Sequence, residues 1–261
     1  MKIISKEKRV LSKFFVKQNQ IINNKIQIID EDVNHIKNVL RLNIGEEIKI
    51  CDSDNSQNYN CKITNISPKM VECEILETIP NEAEGNVELH IFQGLPKADK
   101  MELIIQKGTE LGVSEFIPVS LKRCIVKLDG KDQVKKIDRW NKIAEVAAKQ
   151  SGRDMLPKVR CVENIKTLCS EIKEYDIVLV AYENETENYI KNELLNLKST
   201  KEKYKIAVVI GPEGGLEQEE VNQMQEVGAK VISLGKRILR TETVALQVSS
   251  IIMYELENGG I

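Results

Sequence analysis

The sequence predicts an α/β protein in two parts, a small antiparallel β-barrel or sheet followed by a larger, mostly parallel sheet with helices on both faces. Up to about residue 80, short segments alternate apolar and polar residues between Asn, Gly, Ser and Pro, the pattern of half-buried antiparallel strands. Beyond that point apolar strand-like runs alternate with helical stretches, which implies parallel strands joined by crossover helices. At 261 residues the chain can bury a sizeable core, as one large or two modest domains.

In the first part "NKIQII", "EEIKICD", "YNCKITNIS" and "MVECEILET" read as strands, and "DVNHIKNVLRL" reads as one short helix among them. "TIPNEAEGN" has the Pro, Gly and polar residues of a linker. The second part opens with the strand "VELHIFQGL", a helix from Lys97 to about Leu111, the strand "EFIPVS", and a helix from about Gln133 to Gln150. The strands "YDIVLVAY" and "YKIAVVI" follow, then a helix from about Glu217 to Val227, the strand "AKVISLG", and a last helix from about Thr243 to Glu255.

Composition narrows the function classes. Apolar residues make up 41% and charged residues 30%, as in a globular protein and not a disordered one. No apolar stretch approaches the roughly 20 residues that cross a bilayer. The start "MKIISKEKRVLSKFF" lacks the apolar block of a secretory signal, so a cytoplasmic location is expected. Cys51, Cys61, Cys73, Cys124, Cys161 and Cys169 form no CxxC pair and are expected to be reduced, mostly buried thiols. With only His35 and His90 present, histidine metal sites and Ser/His/Asp chemistry have little to work with, and no metal is expected. The net charge of -2 hides a basic arm, in which Lys2, Lys6, Lys8, Arg9, Lys13 and Lys17 face Glu7 alone. On charge alone that arm is either a nucleic-acid contact or a solvated terminus. Trp140 falls at helical spacing with Ile137 and Ala144 and reads as a core or dimer contact.

Ligand loops of a parallel α/β sheet stand at the carboxyl ends of its strands, where "IGPEGGLEQEE" (210–220) falls. It is neither the GxxxxGK[ST] of a phosphate loop nor a GxGxxG opening a first βαβ unit, and Glu213 would repel a phosphate. Adjacent glycines permit positive φ and close approach to a flat or cationic ligand, with a plain strand-to-helix turn as the alternative. "SLGKRILRTETVALQV" (233–248) supplies a second loop carrying Lys236, Arg237 and Arg240. Thr241 and Glu242 also fit ordinary helix capping.

Taken in order, "HIKNVLRLNIGEEIKICD", "KMELIIQKGTELGV", Arg123-Cys124, "RWNKIAEVAAKQSGR", "IGPEGGLEQEEV" and "SLGKRILRTETVAL" resemble, nearly end to end, the bacterial 16S ribosomal RNA (uracil-N3)-methyltransferase family, RsmE type, of the SPOUT superfamily. The resemblance implies a PUA-like RNA-binding β-barrel over 1–78 and a SPOUT methyltransferase domain over 79–261 with a deep trefoil knot, which general topology rules argue against. It implies S-adenosylmethionine (SAM) as methyl donor and N3 of a uridine in the decoding region of 16S rRNA as acceptor. It also implies the assembled 30S small ribosomal subunit as substrate, and a homodimer.

Three loops carry over as the SAM site. They are Ala181, Tyr182 and Glu183; Ile210, Gly211, Pro212, Glu213, Gly214 and Gly215; and Ser233, Leu234, Gly235, Ile238, Leu239, Arg240 and Thr241. Uracil N3 holds a proton, so a cation beside the uracil oxygens would stabilise its anion. Arg240 is the first candidate, with Arg153 and Arg123 behind it. Glu213 or Glu242 either accepts the proton or orients the loops. The expected RNA contacts are Arg9, Lys13, Arg41, Lys97, Lys100, Lys107, Arg123 and Arg153, with Lys100 and Lys107 on one helix edge beside Met101, Ile104 and Leu111. Two departures from the family pattern stand out. "RVLSKFF" separates Arg9 from Phe14 and Phe15, so that Lys13 is an alternative for the place of Arg9, and Glu217 stands where a Ser or Thr cap is common.

Overall fold

The computed structural model describes residues 12–197 and 202–258. Arg9, with Lys2, Lys6 and Lys8 of the basic arm, lies outside them. The chain forms two compact units: the first runs up to Glu84 and includes Gly152–Leu156, and the second holds Gly85–Ser151 and the chain from Pro157 on.

In the first unit β1 (Lys13–Val16), β2 (Ile21–Ile22), β3 (Lys25–Ile29), β4 (Glu47–Asp52), β5 (Gln57–Ile66) and β6 (Met70–Ile79) form a six-stranded sheet in the order β1-β4-β5-β6-β3-β2. Every pair is antiparallel except β1 with β4. Alternation turns one face inward: Ile26 and Ile28, Ile48 and Ile50, Cys61 and Ile63, and Val71 and Cys73 are at most 1% exposed and share a core with Phe14 and Val16. Burial pushes the Cys61 and Cys73 thiols up to about 12, which leaves them as inert apolar groups. Strand β1 has no alternation to mark it in the sequence, because Phe14, Phe15 and Val16 are all buried. The expected helix is a short one, α1 (Glu31–Asn34), continued by a π-helical turn over His35–Val39. It stops before Arg41, whose φ of 54° is left-handed.

Gly152–Leu156 joins this unit through two ion pairs. Lys13 Nζ donates to the Asp154 carboxylate and to the Arg153 carbonyl (2.9 Å). The second Asp154 oxygen accepts from the backbone N–H of Glu82 (2.7 Å) and Ala83 (2.8 Å). Arg153 donates to Glu84 from Nε (2.8 Å) and Nη2 (2.6 Å). The side chains of Lys13 and Arg153 are only 10% and 5% exposed. This corrects the expectation that both meet RNA phosphates and that Arg153 serves the uracil, since each is the buried half of a charge pair.

At Asp154 burial opposes ionisation, but Lys13 and the Ala83 N–H outweigh it and hold the carboxyl below its usual range. The sign follows: the stabilisation is full above the unfolded value of about 4 and is lost as pH falls through the lower folded value. Asp154→Asn is expected to cost about 2 kcal/mol in urea unfolding at pH 7. The gap from the parent protein should narrow once the pH drops below about 4. A gap independent of pH would mean that the charge plays no part.

In the second unit β7 (Val87–Gly94), β8 (Val113–Ser120), β9 (Lys158–Val159), β10 (Glu163–Asn164), β11 (Ile177–Ala181), β12 (Tyr204–Ile210) and β13 (Lys230–Ile232) form one sheet. Its order is β10-β8-β7-β12-β11-β13 with β9 beside β8, and every pair is parallel. The central strands are near-continuous apolar runs because both faces are covered, and Leu89, Ile91, Val208 and Val209 are buried. The helices are α2 (Lys100–Glu110), α3 (Gly130–Ser151), α4 (Ile165–Glu171), α5 (Ile190–Leu197), α6 (Gln218–Glu226) and α7 (Thr241–Met253). Helix α2 starts at Lys100 and not Lys97, since Ala98 has a φ of 53°. The short α4 was not marked by periodicity, yet Asn164 caps it, accepting from the N–H of Lys166 and Thr167. Trp140 is 4% exposed in the core of this unit, which rules it out as a stacking platform on this surface.

All six cysteines are free, and Cys51, Cys61, Cys73 and Cys124 are buried. His90 is buried against Tyr175, and His35 meets Phe14 edge-on. Among the described residues no group of three or more His, Cys, Asp or Glu is placed to hold a metal, and no helix is long and apolar enough to cross a membrane.

Candidate active site

Strands β12, β11 and β13 are neighbours in the sheet, and the chain leaves the carboxyl end of each into a loop. The three loops line one cavity of about 550 Å³, and every residue that the resemblance assigned to SAM is in its wall. Lys100, Lys236, Arg237 and Val244 line it too.

The shape of the 210–215 loop follows from its glycines. A Cβ on Gly211 would lie 2.8 Å from the carbonyl carbon of Gly215, a backbone contact that cannot swing aside. Gly215 has a φ of 73°, whereas Gly214, the other half of the pair, has no positive φ. Beneath the loop Gln93, fully buried at the end of β7, donates from Nε2 to Thr241 Oγ1 (2.8 Å). Thr241 in turn donates to the Gly211 carbonyl (2.7 Å). The chain of bonds ties β7, the 210–215 loop and the start of α7 together. Thr241 is therefore more than a helix cap, and the N-cap position of α7 belongs to Arg240. Sequence reasoning missed Gln93; the available signal was one amide near the end of an apolar strand, since a buried polar group needs a partner.

The expected cations divide into paired and free. Lys100 Nζ lies 3.0 Å from Glu213 Oε1 and 3.4 Å from Glu242 Oε2, so its ammonium stands in the cavity wall and is committed to carboxylates. Arg123 donates from Nε to Glu217 (2.8 Å) and from Nη1 to the Gly214 carbonyl (2.8 Å). It braces the loop from outside through a half-exposed ion pair. Glu217, at the N-cap of α6, thereby supports the loop as well as its helix. Lys107 pairs with Glu110 one turn on. The Lys97 side chain and Arg41 are exposed. Lys236, Arg237 and Arg240 are also exposed, and among the described residues none of them forms an ion pair.

For Glu213 burial works against ionisation, but the Lys97 N–H (2.9 Å) and the Lys100 ammonium prevail and hold the carboxyl below its usual range. A carboxylate so held is a weak base, which favours the loop-orienting role over proton acceptance. Glu242 Oε2 is buried and makes no hydrogen bond; the Lys100 contact is an ion pair only.

Residues 83–253 match the family described as RNA methyltransferase domain, and residues 28–76 match the RNA methyltransferase PUA domain. The ribosomal RNA small subunit methyltransferase E of Bacillus subtilis (strain 168) is 40% identical over 231 residues, which are 88% of this chain and 90% of that protein. The chain belongs to the ribosomal RNA small subunit methyltransferase E family. Another relative in this family, from Mesomycoplasma hyopneumoniae (strain 232), is 32% identical over 90% of this chain and 95% of its own. Among solved structures, the family's enzyme from Neisseria gonorrhoeae bound to SAM superposes with a TM-score of 0.80 at 27% identity, covering 95% of this chain and 99% of that one. Lpg2936 of Legionella pneumophila, in complex with SAM, gives 0.79 at 27% identity, covering 93% and 97%. The mixed α/β methyltransferase fold with a PUA-like first part, expected from the motifs, is thus the fold of this family.

Proposed function

We propose that this protein transfers a methyl group from SAM to N3 of a specific uridine in the decoding region of 16S rRNA, acting on the assembled 30S subunit. The observation that carries the reading is the cavity at the ends of β11, β12 and β13, walled by the three loops that the sequence motifs single out. The names of the relatives and the SAM held by two solved neighbours support it. In this reading residues 1–78 hold RNA and residues 79–261 carry the chemistry as a deep trefoil knot, in a cytoplasmic homodimer. The place of β12 between β7 and β11 is compatible with such threading.

The wall fits SAM. Much of the wall is main chain, because Gly211, Gly214, Gly215 and Gly235 line it without side chains, and free N–H and C=O groups of such loops suit an adenine edge. When bound, SAM supplies an electrophilic methyl on its sulfonium. The protein's own part is alignment and charge. Holding uracil N3 in line with the C–S bond removes much of the entropic barrier. Arg240, exposed at the start of α7, stabilises the uracil anion with help from the helix N-terminus, and the N3 proton passes to water. Glu213 and Glu242 both face Lys100 and orient the loops. The base must be unpaired to expose N3. Arg41, Lys97, Lys236 and Arg237, all exposed, are the phosphate contacts in this reading. RNA affinity is expected to fall about tenfold or more between 50 and 200 mM salt, as read by filter binding. An affinity flat across that range would remove those four from the RNA surface.

The experiment is methyl transfer from labelled SAM to small subunits taken from cells lacking the activity, with the modified nucleoside identified by mass spectrometry. The expected product is 3-methyluridine at one site. A different methylated nucleoside, or no transfer despite SAM binding, contradicts the proposal.

A further inference from the structure

Two elements of the cavity wall, the loop after β12 and the start of α7, carry carboxylates that meet at one cation, Glu213 within the wall and Glu242 just outside its lining. Glu213 stands on the loop leaving β12, and Glu242 is the second residue of α7. Lys100, the first residue of α2, reaches Glu213 Oε1 at 3.0 Å and Glu242 Oε2 at 3.4 Å. The Glu242 side chain is 14% exposed and that of Glu213 26%, on a residue open to solvent, so water screens their mutual repulsion only in part once the cation is gone. Glu242 Oε2 has no hydrogen bond to fall back on, while Glu213 keeps only the Lys97 N–H and its own loop. Below this cluster the Gln93–Thr241–Gly211 bonds join the same two elements, so the loop and the helix start are tied at two levels.

We propose that Lys100 is a positioning residue of the cofactor cavity. Its ammonium pins the 210–215 loop to the start of α7, and the cavity keeps its binding shape only while that charge lies between Glu213 and Glu242. The inference rests on the reading of the cavity as the SAM site and gives Lys100 a role other than a phosphate contact. The neutral tie through Gln93 keeps the unit folded without Lys100, so the effect falls on the loop and not on the whole domain.

The test is a set of four variants, Lys100→Met, Lys100→Arg, Glu213→Gln and Lys100→Met with Glu213→Gln. They are read by calorimetric SAM titration and by hydrogen exchange of the free protein. Lys100→Met is expected to weaken SAM binding about tenfold and to speed exchange of the 213–216 amides. Lys100→Arg should stay near the parent. The double variant should bind SAM better than Lys100→Met alone, because removing one carboxylate removes the repulsion that the lost lysine left behind. RNA affinity and its salt slope should not change in any of them. Additive losses in the double variant would overturn the proposal. So would normal SAM binding by Lys100→Met with weaker RNA binding and a shallower salt slope, the signature of a phosphate contact. If the parent protein fails to bind SAM, the proposed function falls, while exchange of the free protein still decides whether Lys100 ties the loop.

Discussion

Gly211→Val weakens SAM binding by on the order of 10²–10³-fold in a calorimetric titration, with the fold retained. A Cβ at Gly211 would lie 2.8 Å from Gly215 C and 3.1 Å from Leu216 N, and valine adds two methyl groups to that collision. The obstructing atoms are main chain, so the loop must open, and opening it also breaks the Thr241 bond to the Gly211 carbonyl. Gly228→Ala is the control. Its φ of 110° makes alanine strained by about 1–2 kcal/mol, but nothing lies within 4 Å of the added Cβ. That variant should lose a little stability and keep its SAM affinity within about twofold, far below the effect of closing the cradle. Normal SAM binding by Gly211→Val would exclude the 210–215 loop from the cofactor site.

Arg240→Ala lowers the single-turnover methylation rate by about 10²–10³-fold while SAM affinity stays near that of the parent. The guanidinium is exposed at the cavity wall and unpaired among the described residues, so its removal leaves no buried carboxylate stranded. What is lost is the stabilisation of the uracil anion, and the rate of the variant should therefore keep climbing with pH beyond the range in which the parent levels off. Arg240→Lys should recover part of the rate, since it returns the charge without the planar fork. A variant whose loss lay wholly in SAM binding, with an unchanged rate at saturation, would move Arg240 from chemistry to cofactor binding.

The cavity was legible in the sequence because its parts are local. Each lining loop directly follows an apolar strand, and a parallel sheet puts such loops at one edge. Cations were legible only as charges. The chain has 38 Lys and Arg against 40 Asp and Glu, so a lysine in a motif does not disclose whether a carboxylate already holds it. Lys13, Lys100, Arg123 and Arg153 all read as phosphate contacts, and each proves to be paired, with Asp154, Glu213, Glu217 and Glu84 respectively. The partners are distant in sequence, and only folding brings them together. The same holds for Gly152–Leu156, which follows α3 in the chain yet packs in the first unit, and for Gln93, whose partners Gly211 and Thr241 lie far downstream. The fully buried strand β1 escaped for the converse reason, because it lacks the polar alternation that marks a half-exposed strand.

The measurement that bears most directly on the site is a crystal structure of this protein grown with SAM. The expected result is SAM in the cavity at the ends of β11, β12 and β13, its adenine on the main chain of the 210–215 and 233–241 loops and its methyl group open toward Arg240. SAM bound elsewhere on the chain, or the 210–215 loop turned away from it, would contradict the assignment of the site and with it the roles given to Arg240, Gly211 and Lys100.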